Sequence, residues 1–288
     1  LKVEDGCVNF CTYCIIPYAR GLVRSLPLQD AAAQAARLAG EGYKELVLTG
    51  IEISSWGHDL RDGTSLIDLM EAVCAAAPGC RIRLGSLEPR TVTGEFCLRA
   101  AELNNLCPHF HLSMQSGCDA TLKRMNRKYD TARFFESVSL LGKYFQTPAV
   151  TTDMIVGFPG ETEEEFAQSL DFIQRCAFAA MHIFPYSKRP GTPAAAMPGQ
   201  VPKAVKEERA RRAAEIAVRM ERRYLERWKT AEVLFEEERD GLWRGHTTHY
   251  CEVRVQSGEN LHNQLRQVSV TGVGDGYLEG EILNLGNG

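Results

Sequence analysis

Between residues 2 and 185 the chain alternates short apolar runs with longer amphipathic stretches. The runs KELVLTG (44–50), RIRLGS (81–86), FHLSM (110–114), AVTTDMIVGF (149–158) and AAMHIFPYS (179–187) have the length and composition of buried parallel strands. The intervening stretches 30–41, 65–77, 93–103, 130–144 and 162–175 read as helices, the first of them Ala-rich and ended by Gly42. Thr162 with Glu165 forms a capping box at the start of the last. Counting a first strand before Cys7, this makes six strand–helix units, and such alternation predicts a parallel sheet with helices outside it. Six units fit a partial barrel better than a complete eight-stranded one. In such barrels the working residues gather where strands end and loops begin.

The pattern changes after residue 185. A Pro/Gly-rich linker (185–202) closes the barrel, and 203–229 reads as one long helix with Pro202 set for its first turn. The runs EVLFEEE, YCEVRVQS, RQVSVTGVG and YLEGEILNL, broken by Gly and Asn, then predict a small antiparallel barrel. The expected division is therefore 1–200, a linker helix over 201–230, and 231–288. Charge sharpens the picture. The helix carries ten basic residues against five acidic ones, in a chain whose net charge is −4. That pattern fits either nucleic-acid contact or a solvated helix bracing two domains. The last segment has four arginines against ten carboxylates, so RNA binding there requires one local face and not the average field. Hydrophobic content of 44% and charged content of 24% are those of a folded globular protein. No run reaches the roughly 20 apolar residues of a membrane span and no signal peptide is visible, which makes the cytoplasm the simplest assignment.

Ten cysteines are present. Seven (Cys74, Cys80, Cys97, Cys107, Cys118, Cys176, Cys251) are scattered singly and read as small buried hydrophobes of a reducing compartment. The other three lie on one loop as Cys7-x3-Cys11-x2-Cys14, a spacing that points to metal. A closed zinc site needs four ligands, and neither a second CxxC nor an HxxxH follows. Three thiolates on a 4Fe-4S cube leave one iron open and reactive. Zinc and an incidental cysteine-rich turn remain the alternatives.

Polar residues sit at the strand ends. Gly50 permits close backbone approach or simply ends its strand. Glu88 stands before a proline, placed for ribose hydroxyls or for solvent. Lys123, Arg124, Arg127 and Lys128 form a basic cluster, commonly a solvated face. Asp153 lies inside an apolar strand and needs a partner. No GxGxxG opens a helix, which argues against dinucleotide binding.

The loop GCVNFCTYCIIPYARG resembles the radical S-adenosylmethionine (SAM) superfamily, and within it the methylthiotransferases. The resemblance implies a partial (βα)6, TIM-like barrel in which Cys7, Cys11 and Cys14 hold a 4Fe-4S cluster. The open iron chelates the amino and carboxylate groups of SAM, and one electron releases a 5′-deoxyadenosyl radical. It further implies Tyr13 against the adenine and Gly50 and Glu52 at the methionine amino group. Gln115 and Ser116 would point into the barrel mouth, Arg127 would meet the SAM carboxylate, Asp153 would lie near the cofactor, and Gly157 would contact adenine. The end of the chain resembles the TRAM domain, an OB-like RNA-binding module. The combination DGCVNFCTYCIIPYARG with LTGIEISSWGHDL is most similar to the branch that methylthiolates threonylcarbamoyladenosine beside the tRNA anticodon. That branch implies the tRNA anticodon stem-loop as partner, a flavodoxin or ferredoxin as reductant, and a second 4Fe-4S cluster on an N-terminal domain that this sequence lacks. The chain is thus expected to cleave SAM without completing methylthiolation. A ribosomal-protein methylthiotransferase and a zinc-dependent RNA-binding module are the rival expectations.

Overall fold

A computed structural model describes residues 1–283. The cysteine loop is held between β1 (Glu4–Asp5) and α1 (Ile16–Arg20), and the chain returns through β2 (Arg24–Ser25), antiparallel to β1. There follow α2 (Leu28–Gly40), β3 (Glu45–Leu48), α3 (Leu66–Ala76), β4 (Arg81–Leu84), α4 (Gly94–Ala101) and β5 (His109–Gln115). Next come α5 (Asp119–Arg124), α6 (Thr131–Tyr144), β6 (Ala149–Val156), α7 (Glu163–Cys176) and β7 (Ala180–Pro185). β3 pairs in parallel with β4, and β5, β6 and β7 pair in parallel with one another. Single parallel bridges close the gaps, Lys2 to Thr49, Ile82 to Leu106 and Leu87 to Leu112. Six parallel segments thus curve into the expected partial barrel. Its first stave is weaker than expected: only the stretch around Lys2 and Val3 meets β3, while β1 itself turns aside to pair with β2.

The strands are shorter than their apolar runs because the residues beyond them turn over the barrel mouth: β3 stops at Leu48, β4 at Leu84 and β6 at Val156. They also alternate more than a doubly covered strand should. Leu46, Leu48, Ile82, Leu84, Phe110, Leu112, Val150 and Met154 join the core beneath the helices. The alternate positions line an interior that is polar, with Arg81, Arg83, His109 and Thr151 all buried. Side-chain caps fix the helix starts: Thr93 accepts from the Phe96 amide, Asp130 from Arg133, and Thr162 from Glu165 in the expected capping box. The seven scattered cysteines are all buried and unbridged.

After α8 (Pro193–Ala196), α9 (Lys203–Leu225) packs along β7 and α7. Half of the ten basic residues of 203–229 are paired locally. Arg209 is buried against Glu161, while Arg211, Arg212 and Arg222 pair with Glu208 and Glu215, Glu163, and Glu226. The bracing role is therefore the one the helix visibly fills. Five strands, β8 (Thr230–Arg239), β9 (Leu242–Thr247), β10 (Glu252–Val255), β11 (Gln264–Val273) and β12 (Tyr277–Ile282), form a closed barrel in the order β10-β12-β11-β8-β9. β10 and β12 pair in parallel and the remaining pairs are antiparallel. β9 had no place among the expected runs, because LWRGHT hides its inward Trp243, Gly245 and Thr247 among polar neighbours. The end of the expected run 277–285 lies outside the described residues.

The loop between β9 and β10 enters the large barrel at the N-terminal ends of its strands, opposite the cysteine loop. There Arg83 donates to the carbonyls of Thr248 (3.0 Å) and Thr247 (3.1 Å), and Arg81 donates to that of His246 (3.2 Å). Tyr250 stacks on His109 at 5.0 Å and on His246 at 4.7 Å, with the Arg83 guanidinium over its ring. A cavity of about 500 Å³ lined by Arg83, His109, His246, Tyr250, His111 and His182 remains above the loop. Burial and the Arg83 charge push His109 down to about 3, and burial pushes His249 down to about 4, so both are neutral imidazoles.

Candidate active site

The cysteine loop sits at the opposite mouth. The amide of Cys7 donates to the Gly21 carbonyl (3.1 Å), that of Thr12 to Met125 (3.1 Å) and that of Cys14 to Cys11 (3.0 Å). Cys11 is buried, and Cys7 and Cys14 are half-buried. Burial pushes the Cys7 thiol up to about 11 and raises Cys14 as well, so bound metal or a cation is needed to make these groups thiolates. Arg127 donates from Nη1 to Cys11 Sγ at 3.1 Å, which brings one guanidinium against the remaining sulfur of the loop. Among the described residues no three Cys, His, Asp or Glu side chains converge closely enough to hold one metal ion. Three soft thiol ligands on one loop suit a multi-iron cube, which spreads its ligands over different irons and leaves one iron open.

The mouth also holds two carboxylates with open oxygens. Glu4 accepts the Glu52 amide through Oε2 (2.8 Å), and Glu52 accepts from Asn9 through Oε2 (3.3 Å). The Oε1 atoms of both are buried without a partner. Burial raises the Glu52 carboxyl to about 7, with Arg127 opposing and Glu88 adding to the shift. Two orphaned acceptors beside the cysteine loop are what the ammonium of a bound amino acid requires. The Gly50 backbone is exposed here, and a Cβ on it would lie 2.6 Å from Glu4 Oε2, so glycine is needed to seat that carboxylate. Glu88 is buried and accepts both contacts of Arg90 Nε (3.0 and 2.9 Å). Asn9, Glu52, Ser54, His58, Glu88 and Arg90 line a polar cleft of about 580 Å³ beside the loop.

Other expected contacts are placed differently. Tyr13 does face the Gly157 segment, its ring edge-on to Phe158 at 6.4 Å. Gly157 itself has φ +68°, and the side lacking a Cβ is filled by the Lys206 methylenes of α9, so helix packing demands glycine there. Its amide donates to Glu161 Oε2 (2.6 Å), the carboxylate that also receives Arg209 (2.8 Å). Ser116 does not point into the mouth. It is buried, with Oγ 3.4 Å from Ser169 on α7 and accepting the Cys118 amide, because the chain turns outward after Gln115, which holds φ +66°. Gln115 stays half-buried at that turn. Asp153 finds its partner in His111 Nε2 (3.4 Å), within the polar interior and not at the cysteine loop. Arg127 is at the mouth, but Nε, Nη1 and Nη2 already donate to Tyr129 Oη, Cys11 Sγ and the Ser113 carbonyl. Glu4, Asn9 and Arg90 were missed; Glu4 alone carried a signal, as an acid directly after the apolar Val3 in the first strand.

A partial parallel barrel with three cysteines and two open carboxylates at its mouth defines a protein built to hold an open-iron cluster and an amino-acid-bearing ligand. The chain belongs to the radical SAM superfamily, whose family pattern matches residues 1–173. The cofactors of that family are a 4Fe-4S cluster and SAM, and Cys7, Cys11 and Cys14 are the residues that fit the cluster.

Among curated relatives, the chain is 38% identical to the threonylcarbamoyladenosine tRNA methylthiotransferase MtaB of Bacillus subtilis, over 99% of this chain and 65% of that one. It is also 38% identical to the tRNA-2-methylthio-N(6)-dimethylallyladenosine synthase of Acetivibrio thermocellus, over 98% and 60%. The chain thus spans less than two thirds of the length of these relatives. Among solved structures, the radical SAM methyltransferase TsrM of Kitasatospora setae superposes with a TM-score of 0.57 at 16% identity, covering 68% of this chain and 38% of that one. Coproporphyrinogen III oxidase of Escherichia coli gives 0.55 at 12%, covering 77% and 52%. These likenesses show the fold. No helix of the described residues is long and apolar enough to cross a membrane.

Proposed function

We propose that this chain is the radical-generating part of a tRNA methylthiotransferase, a transferase that converts threonylcarbamoyladenosine beside the anticodon to its 2-methylthio derivative. The carrying observation is the three-cysteine loop beside the unpartnered Glu4 and Glu52 oxygens, in a chain aligned over 99% of its length with an enzyme of that name. Bound together, cluster and SAM supply a carbon-centred radical strong enough to take the hydrogen from carbon 2 of the adenine. The chain's own residues bind and orient. Cys7, Cys11 and Cys14 hold the cluster, and Arg127 orients the Cys11 sulfur through its hydrogen bond. Glu52 receives the SAM ammonium, Glu88 reaches the ribose, and Tyr13 lies beside the adenine. Asn9, Ser54, His58 and Arg90 make the adjoining cleft polar, which favours the threonylcarbamoyl group over an apolar dimethylallyl one. The five-stranded barrel serves as an RNA-binding module of TRAM type, a flavodoxin or ferredoxin delivers the electron, and the work is done in the cytoplasm. Among the described residues the cysteines cluster on one loop only, and the step we assign to this chain itself is SAM cleavage.

The test is anaerobic reconstitution, dithionite reduction, and chromatography for 5′-deoxyadenosine, then mass spectrometry of digested tRNA. About four irons per chain, 5′-deoxyadenosine and no methylthiolated nucleoside are expected. A methylthiolated product would overturn the restriction to cleavage. About one zinc per chain without 5′-deoxyadenosine would overturn the reading as a whole.

A further inference from the structure

Around the cysteine loop the surface is apolar where it should be polar. Val8 is 46% exposed, Phe10 46%, Tyr18 62% and Leu22 73%. Phe10 and Tyr18 meet edge to face, with ring centroids 5.7 Å apart. They form one feature: the Gly21 carbonyl holds the Cys7 amide, and Arg24 donates to the Arg20 and Leu22 carbonyls, which fixes this segment against the loop. Phe10 also holds φ +47°, a left-handed conformation that bulky residues rarely adopt. Asn126 locks it there by donating from Nδ2 to the Phe10 carbonyl (2.8 Å). Backbone strain that the surroundings enforce to turn an aromatic ring into solvent points to a use for that ring.

The rim is cationic. Arg20, Lys128, Lys188 and Arg189 are exposed and form no salt bridge among the described residues. Lys128 donates to Asn126 Oδ1 (2.7 Å), the residue that holds Phe10, and the Arg189 charge reaches Cys14. This positive rim stands on a chain of net charge −4. Exposed aromatic rings within a ring of unpaired cations are the two elements of single-stranded nucleic-acid binding: bases stack on the rings and the cations follow the phosphates. An apolar site for a protein partner would need neither unpaired cations nor strained aromatic display.

We infer that Phe10 and Tyr18 form a stacking platform for an unpaired RNA base next to the modified adenosine, with Arg20, Lys128 and Arg189 on the adjoining phosphates. The inference rests on the tRNA reading above and adds the place where the loop is gripped. Its position beside the cysteine loop would hold the neighbouring nucleotide while the target base enters the cleft.

The test uses the reconstituted full chain and an anticodon stem-loop RNA carrying 2-aminopurine next to the target adenosine. Tyr18→Ala, Tyr18→Phe and Phe10→Ala are compared at equal iron content. Wild type and Tyr18→Phe should quench 2-aminopurine on binding. Tyr18→Ala and Phe10→Ala should lose the quench and bind about 5- to 100-fold more weakly, the range for one stacked base. Unchanged RNA affinity and quenching in both alanine variants would overturn the platform while leaving the tRNA reading intact. Should those variants instead lose reduction by flavodoxin but not by dithionite, the patch is the reductant's docking face and the platform falls. No binding of the RNA by wild type would overturn the tRNA reading, and the platform with it.

Discussion

Replacing Arg83 by methionine removes the central link between the two barrels without opening a cavity. Arg83 donates from Nε and Nη2 to Glu45 (2.8 and 2.9 Å), and from Nη1 and Nη2 to the Thr248 and Thr247 carbonyls. Breaking a buried ion pair from one side costs about 3–5 kcal/mol. Glu45 keeps Arg81 at 2.6 Å, which puts Arg83→Met at the lower end, about 3 kcal/mol. At about 2 °C per kcal/mol for a chain of this size, Tm should fall by about 6 °C. The pH dependence has a definite sign. Burial pushes the Glu45 carboxyl up, but Arg83 and Arg81 outweigh it and hold it below its ordinary value. A lowered carboxylate stabilises above its unfolded pKa and loses that contribution as pH falls through the folded one. The difference between wild type and variant should therefore be full at pH 7 and shrink below about pH 4. Circular-dichroism melts at both pH values measure this, and limited proteolysis of the 247–251 loop reports whether the small barrel has let go. A variant that melts within 1 °C of wild type at pH 7, with the loop still protected, would refute the reasoning.

Cys7→Ala, Cys11→Ala and Cys14→Ala should each lose the roughly four irons per chain found by metal analysis, whereas Cys74→Ala should not. SAM affinity, read by calorimetry, should rise from pH 6 to pH 8 as Glu52 ionises near 7, and Glu52→Gln should flatten that rise. Because the folded pKa is raised, ionising Glu52 costs stability as pH climbs through 7. Glu52→Gln should accordingly raise Tm at pH 8 and leave it unmoved at pH 4. Gly157→Ala combines a φ of +68° with a clash against Lys206 and should cost more than the roughly 1–2 kcal/mol of left-handed backbone alone; adding Lys206→Ala should recover the excess in chemical denaturation. Arg209→Ala leaves Glu161 buried and unpaired and should destabilise by about 3–5 kcal/mol in the same assay.

The cysteine loop, the alternation of the barrel, the long helix and the small β-barrel were all legible because each is written in local spacing. What escaped was set by distant contact. The direction of Ser116 follows from Ser169, 53 residues on, and Gly157 answers to Lys206 on another helix. Asp153 needed a partner, as its apolar strand implied, but nothing local said the partner would be His111. β9 was invisible because two of its three inward positions are glycine and threonine. Nothing local explained two arginines in a strand expected to be buried; a loop more than 160 residues away supplies their acceptors.

That loop changes what the small barrel is. By stacking Tyr250 on His109 and lending carbonyls to Arg81 and Arg83, it becomes part of the catalytic barrel's own wall. The C-terminal unit is thus no exchangeable attachment. A graft of another β-barrel onto α9 would leave two buried guanidinium groups facing a hole, so recombination can move this unit between proteins only together with the strand that carries those arginines.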